Sequence, residues 1–364
     1  MVDKFQRFNS GRVNFFLLAI ITVILVATVL KLTSSVVLPF TISVFLAIVT
    51  SPIVRFMEKF HIPRIIAILL IIILLAGVMA FFIMVIYSSG RSIIELYPRY
   101  EARLTEIYHL IARFFDLPYD EHLSFFENVW SQIGIRNQIR NVTISFSNTI
   151  LSFLSNAVMV VIFMAFLLVE ASFIKQKLNN AFLGTRVEQI KKISSDIMTQ
   201  VTRYLSIKFI ISVANGILVG IALKIIGVEF AIVWGVIQFV LNFIPNIGSI
   251  AIGVGATAFS LIQFWPEPGP IIATGLCMLG INMVLGSFID PKVMGDNLGI
   301  SPLIVLISLL IWGWLWGFTG LIIAVPMTAI VKIVCENIPV LEPISILLGS
   351  SKATMATPHS GDAA

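Results

Sequence analysis

The chain has 364 residues, 58% of them hydrophobic and 12% charged, with a mean hydropathy of +1.00 and a formal net charge of +5. An ordinary soluble domain carries about twice that share of charge, so a soluble enzyme, a nucleic-acid-binding protein and a disulfide scaffold all fit poorly. The composition is that of an all-α polytopic membrane protein whose solvent is the lipid bilayer; the two cysteines, Cys277 and Cys335, lie in or beside apolar runs and suggest neither a disulfide nor a metal framework.

A spanning helix needs about 20 largely apolar residues. Val13–Leu30, Val36–Val54 and Ile65–Tyr87 qualify, then Phe146–Val169, Lys208–Ile226 and Ile271–Ile289. No small-x-small cleavage site follows the first, so a retained helix is expected rather than a leader. Two runs, Phe230–Phe264 and Leu303–Val334, are too long for one simple crossing. The expectation is about six full spans plus two broken segments, read as re-entrant helical hairpins, with eight spans as the alternative.

Lys4, Arg7 and Arg12, then Arg55, Lys59 and Arg64, then the basic segment from Lys175 to Arg203 fall on one side if each early span crosses once. Basic loops stay in the cytoplasm, which predicts a membrane protein with both termini cytoplasmic. Ser88–Ser145 then lies outside as an amphipathic helical segment. Its apolar positions Ile93, Tyr97, Tyr100, Leu104, Ile107, Ile111 and Phe114 have the seam spacing of packed helices, with Pro98 near the first turn. That seam suits packing on the membrane domain or a contact between subunits. On the inner side, Val187, Ile190, Ile193, Ile197, Val201 and Tyr204 form a second helical stripe. Five regions result: scaffold spans over 1–87, the outer segment over 88–145, span four with the inner helix over 146–207, a transport repeat over 208–336, and a tail over 337–364.

The repeat rests on register. Gly227 and Gly299, like Gly248 and Gly320, are 72 residues apart, and each broken run follows a single span. Paired interrupted segments point to a transporter's binding site, because unwound backbone in a membrane must be satisfied by protein, water or solute. The first break is Phe243–Ser249, where Pro245 removes a donor, Gly248 permits a turn, and Asn242, Asn246 and Ser249 supply polar groups. The second is Gly313–Gly320, ending in Thr319 and Gly320. Gln238 and Asn282 are neutral amides within apolar runs, either solute contacts or helix–helix bonds. Gly216 and Gly220, four apart, suit close helix packing. The expected substrate site is Asn242, Pro245, Asn246, Gly248, Ser249, Gln238, Asn282, Thr319 and Gly320, and the expected cargo is a small, uncharged, hydroxyl-rich solute.

Acidic residues and histidines are nearly absent from the spans. Asp290, beside Lys292, and Glu229 are the carboxylates that could couple transport to sodium or protons. No catalytic residue, metal ligand or cofactor is expected, since no nucleophile–base pair or phosphate loop appears.

The blocks Tyr204–Ser249, Ile289–Ile333 and Ser51–Leu70 resemble the autoinducer-2 exporter family of bacterial membrane proteins, a resemblance extending over roughly Val36–Glu336. Its Pro-x-x-Gly turn corresponds to Pro245 and Gly248, and its Pro-x-x-Met-Gly element to Pro291, Met294 and Gly295. Ser301 with Pro302, and Ala324–Val325–Pro326, match two further family elements. The resemblance implies an inner-membrane protein exporting a quorum signal, autoinducer-2, as a homo-oligomer, a pentamer. Alternating access is the expected mechanism. A cation/proton antiporter on the same fold and an oligomeric envelope scaffold remain the competing readings.

Overall fold

The computed structural model describes residues 10–115, 155–171, 173, 177, 185–289, 299–338 and 341–349. The helices are α1 (Ser10–Leu32), α2 (Ser34–Lys59), α3 (Arg64–Phe114), α4 (Ser155–Glu170) and α5 (Thr185–Ile226). Then come α6 (Ala231–Leu241), α7 (Ile247–Phe264), α8 (Pro268–Asn282) with a π-helical end (Met283–Ile289), α9 (Pro302–Glu336) and the short α10 (Glu342–Leu348). Six described helices are long and apolar enough to cross a membrane, and their exposed faces carry Ile73, Leu74, Met84, Leu279 and Leu310. Such faces are stable only against lipid or another apolar partner. The chain is a multi-pass, all-α membrane protein.

Two helices are longer than the sequence suggested. The third span does not end at Tyr87: α3 runs 51 residues without a break, about 77 Å at 1.5 Å per residue. Pro98 therefore lies inside it rather than in a first turn. The polar residues after Tyr87 are absorbed by the helix, for Ser88 donates to the Val85 carbonyl (3.1 Å) and Ser92 to the Ser88 carbonyl (3.1 Å). Likewise, the inner amphipathic stripe and span five form the single 42-residue α5. Its Val201, Tyr204 and Leu205 join Phe45 and Ile48 of α2 and Leu315, Trp316, Ile323 and Val325 of α9 in one apolar core, so the stripe docks on the bundle.

A second core ties α2, α3 and α4 through Val54, Ile68, Ile71, Met164 and Leu168. Arg64 reinforces it by donating from Nη2 to the Leu168 carbonyl (2.7 Å). Where α5 meets α6 the packing is backbone on backbone. A methyl on Gly216 would sit 2.7 Å from the Gly235 carbonyl oxygen, and one on Gly235 would sit 2.6 Å from that of Gly216. Gly220 also faces Gly235, so the Gly216/Gly220 pair packs closely as its spacing suggested. Gly235→Ala should therefore destabilise by about 1–3 kcal/mol, whereas Gly77→Ala, with nothing within 4 Å, should be neutral. Thermal unfolding of both variants in detergent checks this.

Both broken runs are hairpins rather than kinked crossings. In the first, Gln263 Nε2 donates to the Gly227 carbonyl (2.8 Å), and the Glu229 backbone N–H donates to Gln263 Oε1 (2.8 Å). An unbroken helix would separate residues 227 and 263 by about 54 Å. The 11-residue arm α6 is about 16 Å long, half the thickness of a bilayer core. In the second, Trp316 (φ −128°, ψ 18°) and Gly317 (φ 61°, ψ −140°) break α9. Its arms then face each other, since Trp312 Nε1 donates to Thr328 Oγ1 at 3.2 Å. Only glycine takes the Gly317 conformation without strain. The Gly248/Gly320 register has a physical basis: a Cβ on Gly248 would overlap the Leu241 carbonyl, and one on Gly320 the Trp312 carbonyl. Each glycine is where the returning arm crosses the backbone of the outgoing one.

Candidate functional site

The turn of the first hairpin carries most of the expected site residues, and the structure separates them into distinct roles. Asn242, at the end of α6, is buried on α5. Its Nδ2 donates to Ser212 Oγ (2.9 Å), and its Oδ1 accepts from Asn215 Nδ2 (3.2 Å). These are helix–helix bonds anchoring the tip. Asn246 has a positive φ (60°) and is exposed, and its backbone carbonyl accepts from Ser249 Oγ (3.1 Å). Pro245 sits half-buried in the turn, and Gly248 is the crossing point described above.

A second amide cluster lies deeper between α6, α7 and α8. Gln238 Nε2 donates to Asn282 Oδ1 (3.0 Å), and Asn282 Nδ2 donates to the Ser249 carbonyl (3.3 Å). Gln238 is fully buried, yet its Oε1 has no hydrogen-bond partner, and Asn215 Oδ1 is in the same position. A buried acceptor left unpaired costs about 1–3 kcal/mol, so each such group calls for a ligand, a water or a moving neighbour. Asn282 is the last α-helical residue of α8 before the π-helical turn, a distortion frequent at functional sites.

Ser249 and Asn282 also line a groove of about 550 Å³ between α7 and α8. Its other walls are mostly apolar, including Val254, Leu261, Ile271 and Met278, with Thr257 adding a hydroxyl. The groove takes a compact solute with few polar contacts; it has no charged lining residue.

The two hairpins meet. Ile244, from the first turn, packs in one cluster with Leu309 and Ala324 of α9, flanked by Trp312, Leu321 and Ile322. Thr319 is half-buried near the second break, and Gly320 is its crossing point. Of the expected site residues, only Ser249 and Asn282 line the groove; Gln238, Asn242, Pro245, Asn246, Gly248, Thr319 and Gly320 do not.

Of the two carboxylates considered for coupling, Asp290 lies outside the described residues, as do Pro291, Met294 and Gly295. Glu229 is engaged at the mouth of the first hairpin. It accepts from the Tyr100 hydroxyl and pairs with Arg99 at 3.3 Å. Next to it, Arg103 Nη1 donates to the carbonyls of Gln263 and of Trp265 (2.6 Å), and the Tyr100 ring meets Phe259 edge-on at 5.6 Å. The extension of α3 thus clamps the mouth with one face, while Ile93, Tyr97, Ile111 and Phe114 of the same seam stay exposed. Arg103→Ala should cost about 2 kcal/mol, the worth of charge-assisted bonds, and a melting curve in detergent reads it directly.

Sequence reasoning missed several of these groups. Ser212 and Asn215, inside the apolar run Lys208–Ile226, are not among the expected site residues. Buried lysines were missed too: Lys208 on α5, and Lys332 on the second arm of α9, which pairs with Glu336 at 2.7 Å. A search for polar residues at i, i+4 and i+7 spacing finds Lys208, Ser212 and Asn215 on one face of α5.

Comparison with known proteins agrees with this architecture. The pattern defining the AI-2E family transporter matches residues 15–339. The chain belongs to the AI-2E transporter family. A candidate transport protein of Haemophilus influenzae is 34% identical over 94% of this chain and 98% of its own, and one of Borreliella burgdorferi is 30% identical over 97% and 96%. The AI-2 transport protein TqsA of Escherichia coli is 27% identical over 88% of this chain and 91% of its own. AI-2E relatives are thus named as transport proteins rather than enzymes, and this AI-2E member is a membrane transporter.

Proposed function

We propose that the protein exports autoinducer-2, a small polyhydroxylated signal, from the cytoplasm across the bacterial inner membrane. In this reading 208–336 is the moving repeat, both termini are cytoplasmic, and the chain works as a homo-oligomer, a pentamer by family resemblance. The observation that carries it is the Gln238–Asn282–Ser249 cluster at the rim of an apolar groove, with Gln238 Oε1 unpaired. Gln238 stands behind the groove and reaches it through Asn282; a neutral acceptor in such apolar surroundings favours a hydroxyl over a cation, because a cation there would be desolvated without a counter-charge. The name of the E. coli relative supports the choice of signal, and the basic inner segments support the orientation.

The solute would enter between α7 and α8, satisfy Gln238 as the amides rearrange, and leave as the two tips slide past each other at Ile244. Purified protein in proteoliposomes, given autoinducer-2 with and without imposed sodium and proton gradients, tests this. Saturable flux above empty vesicles is expected. Gradient-driven sodium or proton movement without solute flux would replace the reading with an antiporter.

A further inference from the structure

A second cavity, of about 560 Å³, lies between the C-terminal half of α2 and the N-terminal half of α5, away from the amide cluster. Arg55, Lys59 and Arg203 line it together with the hydroxyl residues Ser51, Thr199, Thr202 and Ser206. No carboxylate lines it. The acid nearest in α2, Glu58, is paired with Arg64 at 3.4 Å, and none of the three cations has an ion pair among the described residues. The four hydroxyls likewise make no hydrogen bond there. Three cations converging without counter-charges repel one another, and seven unengaged polar side chains in one cavity are complementary to a single multivalent anion.

The remaining wall is apolar: Ile48, Pro52, Phe56 and Met198. Phe56 is exposed and stacks edge-on with Phe60 at 5.0 Å, the amphipathic setting found where a helix meets the headgroup layer. A free phosphate would use the cations and leave this wall wet; a lipid would use both.

We infer that this cavity binds the phosphodiester headgroup of an anionic phospholipid, with its glycerol and upper acyl chain against Ile48, Phe56 and Met198. The lipid would bridge α2 to α5, and through α5 reach the core shared with α9. This site is independent of the solute exported, so it stands or falls separately from the transport assignment.

Native mass spectrometry of the full chain in detergent tests it, with dioleoylphosphatidylglycerol and dioleoylphosphatidylcholine as probes. The expected result is at least tenfold tighter binding of phosphatidylglycerol, lost in the triple variant R55Q/K59Q/R203Q and kept in Lys224→Gln at the far end of α5. Size-exclusion chromatography checks folding. If the triple variant does not fold, each single substitution should weaken phosphatidylglycerol about fivefold, following the worth of one basic residue near an anionic surface. Equal binding of the two lipids, unchanged binding by the variants, or full displacement by millimolar inorganic phosphate would each overturn the proposal.

Discussion

Gly248→Ala and Gly320→Ala should each prevent their hairpin from closing, and should do so to a similar extent. In both cases the added methyl overlaps a backbone carbonyl, of Leu241 in one and Trp312 in the other. A flexible side chain can step aside, as Leu321 would for a Cβ on Gly313, but backbone at a tight crossing cannot. The expected cost is about 3 kcal/mol or more per substitution, the upper end of overpacking. That is a large share of a membrane protein's margin, so both variants should be nearly absent from the membrane fraction. Gly253→Ala is the control: its nearest neighbours are 3.9 Å and 4.0 Å away, Asn282 and Met278, and it should accumulate normally. Normal amounts of Gly248→Ala with an unchanged melting curve would show that the arms do not cross where the structure places them.

Gln238→Leu should separate folding from transport. Leucine has a similar volume, removes the unpaired Oε1, and breaks the bond to Asn282. Interhelical side-chain bonds in membranes are worth only about 0.6–2 kcal/mol, and removing an orphaned acceptor offsets part of that. The protein should therefore fold and insert. If Gln238 accepts a solute hydroxyl during passage, saturable flux should fall at least tenfold, the discrimination seen when a buried polar partner is lost. Asn282→Leu should behave similarly, while Asn242→Leu should mainly lower stability, because Asn242 bonds Ser212 and Asn215 and not Asn282, the amide that lines the groove. Unchanged flux in Gln238→Leu would remove the amide cluster from the solute path.

The hairpins were legible because their chemistry is local. Pro245 and Gly248 stand together in an apolar run, and the 72-residue register of Gly248 and Gly320 reflects two crossings that admit no Cβ. Gly227 and Gly299, in the same register, both have positive φ (89° and 54°). Gly216 and Gly220 were legible for the same reason, since small residues four apart allow close packing. The continuity of α3 was not legible: Ser88, Ser89 and Gly90 look like a boundary, but serine hydroxyls can bond back to helix carbonyls and leave the helix intact. The roles of the amides were only half legible. Sequence marks Asn242, Gln238 and Asn282 as polar in apolar runs, whereas their partners are 27 to 44 residues away. The engagement of Glu229, expected only as a coupling carboxylate, was hidden because Arg99 and Tyr100, which hold it, lie some 130 residues earlier.

In the proposed transport cycle the tips move past each other at Ile244 for solute to cross. A disulfide across that contact tests it most directly. In a background with Cys277 and Cys335 replaced by alanine, Ile244→Cys and Ala324→Cys place a thiol on each hairpin within one packed cluster. Autoinducer-2 flux in proteoliposomes should fall to the empty-vesicle level when the pair is oxidised and return on reduction, with neither single variant responding. Full flux through a chain shown to be cross-linked would contradict the account.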